Sequence, residues 1–195
     1  MSVEQPAQPA PPVKVTAVEQ RGRMLLSQIH AAPKIGVEIG IWKGWLSRYL
    51  LMDKSIFLFM VDPWKEASYS ETAADDEIAR YTQAQHDDAM AEALRNVADF
   101  PDRHKVLRMT SLKAAEGFEE GTLDFVFIDG DHSYEGCRSD IEAWWPKVRM
   151  NGILSGHDYR KDKDYGVIKA VDEFCEVERI RELRLGDNYT WFVTK

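Results

Sequence analysis

Cysteine is scarce. The 195 residues hold two, Cys137 and Cys175, far apart in sequence and in no CxxC pair. A zinc centre built on thiolates needs more, and a chain of this size can build a core without a disulfide framework, so a reducing cytoplasm is the expected setting. Long apolar runs are missing too. The longest, from Ile56 to Val61, is six residues, against roughly 20 for a membrane-spanning helix. No basic, apolar secretion signal opens the sequence, and no membrane partner is expected. Positive charge is in deficit: 25 Lys and Arg face 33 Asp and Glu, a net charge of −8. Nucleic acid and anionic membranes both require a basic surface, so neither is expected as a partner, beyond what a local patch could hold. Proline is sparse outside residues 1–13, which carry Pro6, Pro9, Pro11 and Pro12 of the eight in the chain. That stretch cannot bury apolar surface and reads as a disordered tail ahead of a single domain over 14–195.

What is present suits a packed core: 44% hydrophobic, 30% charged and 11% aromatic residues. The spacing of Val18, Met24, Leu25 and Ile29 predicts a helix over 16–29. Strands are expected over 34–39, 56–61, 105–109, 123–128 and 152–155. Helices are expected over 45–52, 72–98, 112–118, 134–145 and 166–176. The end, 181–185 and 189–194 around Gly186-Asp187-Asn188, reads as a hairpin. Alternating strands and helices, with strands apolar throughout, predict an α/β fold: a mainly parallel sheet covered on both faces, with an antiparallel strand at the end.

In such a sheet ligands gather beyond the carboxyl ends of the strands, at the switch in strand order. After the first strand runs Glu38-Ile39-Gly40-Ile41-Trp42-Lys43-Gly44, an E-x-G-x-x-x-G loop entering a helix. Glycines let backbone approach a ligand and a helix start offers free N–H donors, although an ordinary strand-to-helix turn reads the same way. The second strand ends in Asp62-Pro63-Trp64. An acid about 20 residues beyond such a loop can accept from both ribose hydroxyls, or simply form a turn. Together the two segments favour a nucleoside ligand, with the loop from Glu38 through Ile39 and Gly40 to Lys43 and Gly44, plus Asp62 and Trp64, as its cradle. Glu38 stands where a dinucleotide fingerprint has its first glycine, and a carboxylate there would repel a pyrophosphate. It suits a ligand with an ammonium group and no phosphate, which separates S-adenosylmethionine from NAD. After the third strand, Thr110 and Ser111 could hydrogen-bond an adenine edge with Met109 on its face; Ser111 as a helix cap reads at least as well.

The densest polar cluster, Asp129-Gly130-Asp131-His132-Ser133-Tyr134-Glu135, follows the fourth strand, and Gly156-His157-Asp158-Tyr159 follows the fifth. Asp131 and Glu135 read best as capping and helix-dipole charges. Asp129 and Asp158 end apolar strands, where burying a charge needs a reason. Two carboxylates meeting an imidazole suit a hard divalent metal such as Mg²⁺, and His157 also admits a transition metal.

On VEIGIWKGWLSRYL (37–50), VDPW (61–64), LDFVFIDGDHSYEGCRSDIEAWWPKVRMNGILSGHDY (123–159), GVIKAVDEF (166–174) and WFVTK (191–195), the chain resembles class I S-adenosylmethionine-dependent methyltransferases. It is most similar to the small-molecule O-methyltransferase branch, with macrocin-type sugar O-methyltransferases and cephalosporin-hydroxylase-like proteins. The resemblance implies a Rossmann-like seven-stranded sheet, order 3-2-1-4-5-7-6, with strand 7 antiparallel. It implies cofactor contacts from Glu38, Gly40 and Gly44, Asp62 on the ribose, and Thr110 and Ser111 near the adenine. In metal-dependent members, acids matching Asp129 and Asp158 bind Mg²⁺ with a third acid where His157 stands here, and a histidine matching His132 serves as base. His157 is a departure from that pattern, and it leaves the metal's identity open.

The expected reaction is methyl transfer from S-adenosylmethionine to a hydroxyl of a small molecule, a sugar or natural product, with His132 and Asp129 as the catalytic pair. Residues 68–100 are the expected specificity element, with Tyr81 and His86 facing either an acceptor or solvent. Trp144 and Trp145 read as core or as the interface of a homo-oligomer. Among rival readings, an NAD oxidoreductase is disfavoured by Glu38. A silent scaffold has no use for Asp129, His132, His157 and Asp158 at one rim. A macromolecular acceptor keeps the fold, but the charge of −8 weakens its nucleic-acid version, and no Asn/Asp-Pro-Pro-Tyr motif is present.

Overall fold

The computed structural model describes residues 16–30, 32–66 and 78–195. The expected tail over 1–13, and the start of the 68–100 segment, lie outside the described residues. Helix α1 (Ala17–Gln28) opens on a capping box: Thr16 Oγ accepts from the Glu19 N–H while the Glu19 carboxylate accepts from the Thr16 N–H. Then follow β1 (Lys34–Ile39), α2 (Trp45–Leu51), β2 (Ile56–Val61), α3 (Gln83–Val97), β3 (His104–Leu107), α4 (Ser111–Ala115) and β4 (Leu123–Ile128). The chain closes with α5 (Tyr134–Trp144), β5 (Val148–Gly156), α6 (Val167–Val177), β6 (Arg184–Leu185) and β7 (Trp191–Thr194).

The seven strands form one sheet in the order β3-β2-β1-β4-β5-β7-β6. Strands β1 to β5 pair in parallel, and β7 lies antiparallel to both β5 and β6. This is the order and the odd strand that the resemblance implies. Residues two apart share a face, which sorts the apolar strands between two cores. Val37, Val126, Ile128 and Leu154 pack under α4, α5 and α6 with Trp144 and Trp191. Leu58, Met60, Phe125 and Phe127 pack under α1, α2 and α3. Burial on both faces is why β4, LDFVFI, is apolar almost without break. Its one charge, Asp124, is buried but accepts from the Ile35 N–H and from Arg149 Nε, both at 2.7 Å.

Two elements differ from expectation. Strand β5 begins four residues early, because a bulge lets Val148 pair with Leu123 and Ile153 with Phe125. Its polar early residues, with Arg149 tied to Asp124, hide it from an apolar-run reading. Among the described residues the long helix expected over 72–98 is a 3-10 turn, Ile78–Arg80, followed by α3, which is started by Thr82, whose hydroxyl and N–H form a second capping box with Gln85. Trp144 is core. No helix among the described residues is long and apolar enough to cross a membrane.

The chain leaves β1 toward β2 on one side, and β4 lies on the other. The loops after β1 and β4 therefore diverge and open a crevice between them, as the topology of open α/β sheets requires.

Candidate active site

The crevice holds a cavity of about 380 Å³. Its floor is the loop after β1. Gly40 sits there at φ +80, and a Cβ would stand 2.0 Å from the Asp129 carbonyl oxygen, so only glycine lets the β1 and β4 loops come this close. The main chain is stitched across: the Asp129 N–H donates to Ile39 C=O at 2.8 Å, and the Gly40 N–H to Val61 C=O at 3.0 Å. Glu38 is buried, lines the cavity, and accepts from Ser47 Oγ at 2.6 Å. Burial pushes its carboxyl up to about 8, and the Ser47 hydrogen bond offsets that only in part.

The same cavity is also lined by two aspartate carboxylates and two imidazoles. His132 Nε2 lies 3.1 Å from Asp158 Oδ2 and 3.7 Å from Asp129 Oδ1. His157 Nδ1 lies 3.0 Å from Asp158 Oδ2 and 3.4 Å from Asp129 Oδ1. Arg21, reaching in from α1, donates from Nη1 to Asp129 Oδ2 at 3.0 Å. Tyr165 stacks on His132 with ring centroids 4.6 Å apart. The two loops that carry this cluster are tied together by the Gly166 N–H, which donates to His132 C=O at 2.8 Å.

Burial alone would raise both aspartates. Hydrogen bonds from His132 and His157 outweigh it and hold both carboxyls well below the usual carboxylate range, with the Arg21 charge adding to the effect at Asp129. Burial would likewise depress His157, yet its hydrogen bonds to Asp129 and Asp158 raise it to about 9. Two of the cavity's lining residues, Trp42 (φ 49) and Asp158 (φ 58), adopt left-handed conformations that side chains larger than glycine rarely take.

The cavity thus gathers Glu38, Gly40, Lys43, Asp129, His132, His157 and Asp158. The other residues expected at the cofactor do not line it. Ile39 is in the core, and Gly44 is the left-handed residue that starts α2 against Ala93. Asp62 accepts from the N–H groups of Ile41, Trp42 and Trp64 at 2.7 to 2.9 Å and so braces the glycine loop. Trp64 is buried and donates from Nε1 to Trp42 C=O. Thr110 is exposed at the start of α4, and Ser111 Oγ accepts from Trp144 Nε1 at 2.8 Å. Asp131 accepts from the Ser133 N–H, and Ser133 caps α5.

Sequence reasoning missed Arg21, which lies 108 positions from Asp129 on a helix with no motif. It also passed over Lys163 and Tyr165, although both sit in the loop after β5, where the strand-end rule points. Tyr81, one of the two acceptor-facing candidates, lines the cavity; His86 is buried on α3 with its ring 6.2 Å from Tyr81.

The donor chemistry fits two guests. A buried carboxylate with a single hydroxyl partner, facing the cavity beside a glycine loop, suits the ammonium end of S-adenosylmethionine. Asp129, His132 and Asp158 each offer one ligand atom, all within 4.8 Å of one another, a donor set that fits a divalent cation.

A methyltransferase-domain family model matches residues 37–159, well over half of the chain. The chain belongs to that methyltransferase family. The uncharacterized protein y4gI of Sinorhizobium fredii is 27% identical to this methyltransferase over 74 residues, which are 37% of this chain and only 8% of that protein. Among solved structures, the O-methyltransferase NovP superposes with a TM-score of 0.66 at 19% identity, over 91% of this chain and 80% of NovP. The calicheamicin methyltransferase CalS11 gives 0.68 at 13% identity, over 89% of this chain and 77% of its own. Spermidine synthase from Thermotoga maritima gives 0.60 at 16% identity, over 90% and 60%. At such identities these likenesses show the shared fold, and a fold that also serves a spermidine synthase does not name a reaction.

Proposed function

We propose that this methyltransferase moves a methyl group from S-adenosylmethionine to a hydroxyl of a small molecule, a sugar or natural product. The observation that carries the reading is that Glu38 and Gly40 face the same cavity as His132, Asp129 and Asp158. NovP is named an O-methyltransferase and CalS11 a TDP-rhamnose 3'-O-methyltransferase, and both support a hydroxyl acceptor. The cofactor supplies a methyl group already activated by its sulfonium, so the protein's share is alignment and removal of the acceptor proton.

Glu38 receives the cofactor's ammonium, on a loop that Gly40 shapes and Asp62 braces. His132 takes the acceptor's proton, and the positive charge it gains is met by Asp158 and Asp129, 3.1 and 3.7 Å from Nε2. Tyr165 holds the imidazole from one face.

The gathered ligand atoms favour a second reading, in which Asp129, His132 and Asp158 hold a divalent cation. Held there, a divalent cation would supply Lewis-acid lowering of an acceptor hydroxyl's pKa, and His132 would then serve as a ligand and not as the base. Release of S-adenosylhomocysteine, followed across a panel of hydroxylated small molecules, separates the readings. With His132 as base, activity survives EDTA and His132→Ala lowers kcat by roughly 10²- to 10⁴-fold. Loss in EDTA with recovery on added Mg²⁺ or Mn²⁺ would replace this reading with the second. Unchanged turnover in His132→Ala would contradict both.

A further inference from the structure

We propose that the acceptor carries an anionic group, a carboxylate or a phosphate, and that Lys163 receives it. The proposal rests on the methyltransferase reading of the cavity and adds the class of its second substrate.

The other charged side chains that line the cavity already have partners. Arg21 pairs with Asp129 at 3.0 Å, and Lys43 pairs with Glu92 at 3.2 Å. Glu38 accepts from Ser47, and His157 faces both aspartates. Lys163 lines the same cavity, is half-buried, and forms no ion pair or hydrogen bond among the described residues. Neighbouring Asp162 pairs directly with Arg160, and Lys163 reaches it only as a weaker, longer-range charge interaction. A half-buried ammonium that shares its nearest carboxylate with an arginine and makes no direct ion pair keeps its donors for a ligand anion, which a charge-assisted hydrogen bond would hold.

Its position puts it on the acceptor side. Lys163 lies two residues before Tyr165, the ring stacked on His132, in the loop that Gly166 ties to His132. The glycine loop and Glu38 line the same cavity from the end of β1. The protein as a whole repels anions, with a net charge of −8, so an anionic acceptor needs a local cation to enter the crevice. Lys163 provides it next to the proposed base.

The test uses the full chain saturated with S-adenosylhomocysteine and titrated calorimetrically with pyrophosphate, with 3,4-dihydroxybenzoate, and with neutral 3,4-dihydroxybenzamide. At least one anion is expected to bind, with the amide weaker by roughly tenfold or more. Binding of pyrophosphate alone assigns a phosphate, and of the benzoate alone a carboxylate. Lys163→Met should weaken the anion by a similar factor while leaving the affinity for S-adenosylhomocysteine and the melting temperature unchanged, and Lys163→Arg should keep the anion. Measurable binding of acid and amide with equal affinity, no binding of either anion, or an anion indifferent to Lys163→Met would each overturn the proposal. In those outcomes the homocysteine product still binds and the methyltransferase reading stands. Failure of the chain to bind that product would remove both.

Discussion

Glu38 shows how a single residue's environment becomes a measurable property of the site. Its carboxyl is raised to about 8 by burial, so near neutral pH the empty site holds it mainly protonated. An ammonium placed against it favours the ionised form. Binding of S-adenosylhomocysteine at pH 7 should therefore release a proton, and affinity should climb between pH 6 and pH 8. Calorimetry in buffers of different ionisation enthalpy reads that proton directly, and Glu38→Gln should abolish both effects. Binding that is flat with pH and releases no proton would remove Glu38 from the ammonium role. Glu38, Asp129, His132 and Asp158 were legible in the sequence because each ends or follows an apolar strand, where charge has no business unless a site needs it. Arg21 was not. A lone arginine on an amphipathic helix carries no local sign that it will meet an aspartate 108 positions away. Asp62 was expected on the ribose, but it does not line the cavity, and spacing could not foretell that both its oxygens would be engaged by backbone N–H groups.

At the scale of elements, apolar runs bounded by turn residues located β1, β2 and β4 to the residue, since a strand buried on both faces has no polar face to blur it. The method failed at β5, where a bulge and a tethered arginine break the run, and at α3, whose start depends on a cap rather than on apolar spacing. The loop between β1 and α2 tests the geometry. Gly40→Ala forces a side chain onto the Asp129 carbonyl at a positive φ, at a cost of about 1–3 kcal/mol for the backbone alone. It should lower the melting temperature and weaken S-adenosylhomocysteine binding together, and a variant that binds like wild type would contradict the close approach of the two loops. Helix α5 carries a second test. Burial raises the carboxyl of Asp140 to about 7, a hydrogen bond with Ser111 opposing it. The folded state thus holds a proton that the unfolded chain releases near pH 4, and stability falls as the pH climbs from there through 7. Asp140→Asn should melt several degrees higher than wild type at pH 8, at about 3 °C per kcal/mol, and no higher at pH 4. Equal shifts at both pH values would show that the side chain is not titrating in place.

For the whole molecule, alternating pattern and closing hairpin predicted the sheet class, and the resemblance supplied the strand order that the structure has. Composition excluded thiolate metal centres and membrane spans for simple reasons of count and length. The reaction was less legible, because the same fold accommodates a spermidine synthase as readily as an O-methyltransferase. The O-methyltransferase reading proposed here rests on the crevice, where Glu38 lines the same cavity as His132, Asp129 and Asp158. The most direct measurement is calorimetric titration of the full chain with S-adenosylhomocysteine, alone and with Mg²⁺ or EDTA. One-to-one binding that Glu38→Gln weakens is the predicted result. A well-folded chain that takes up none of it, with or without metal, would contradict the account.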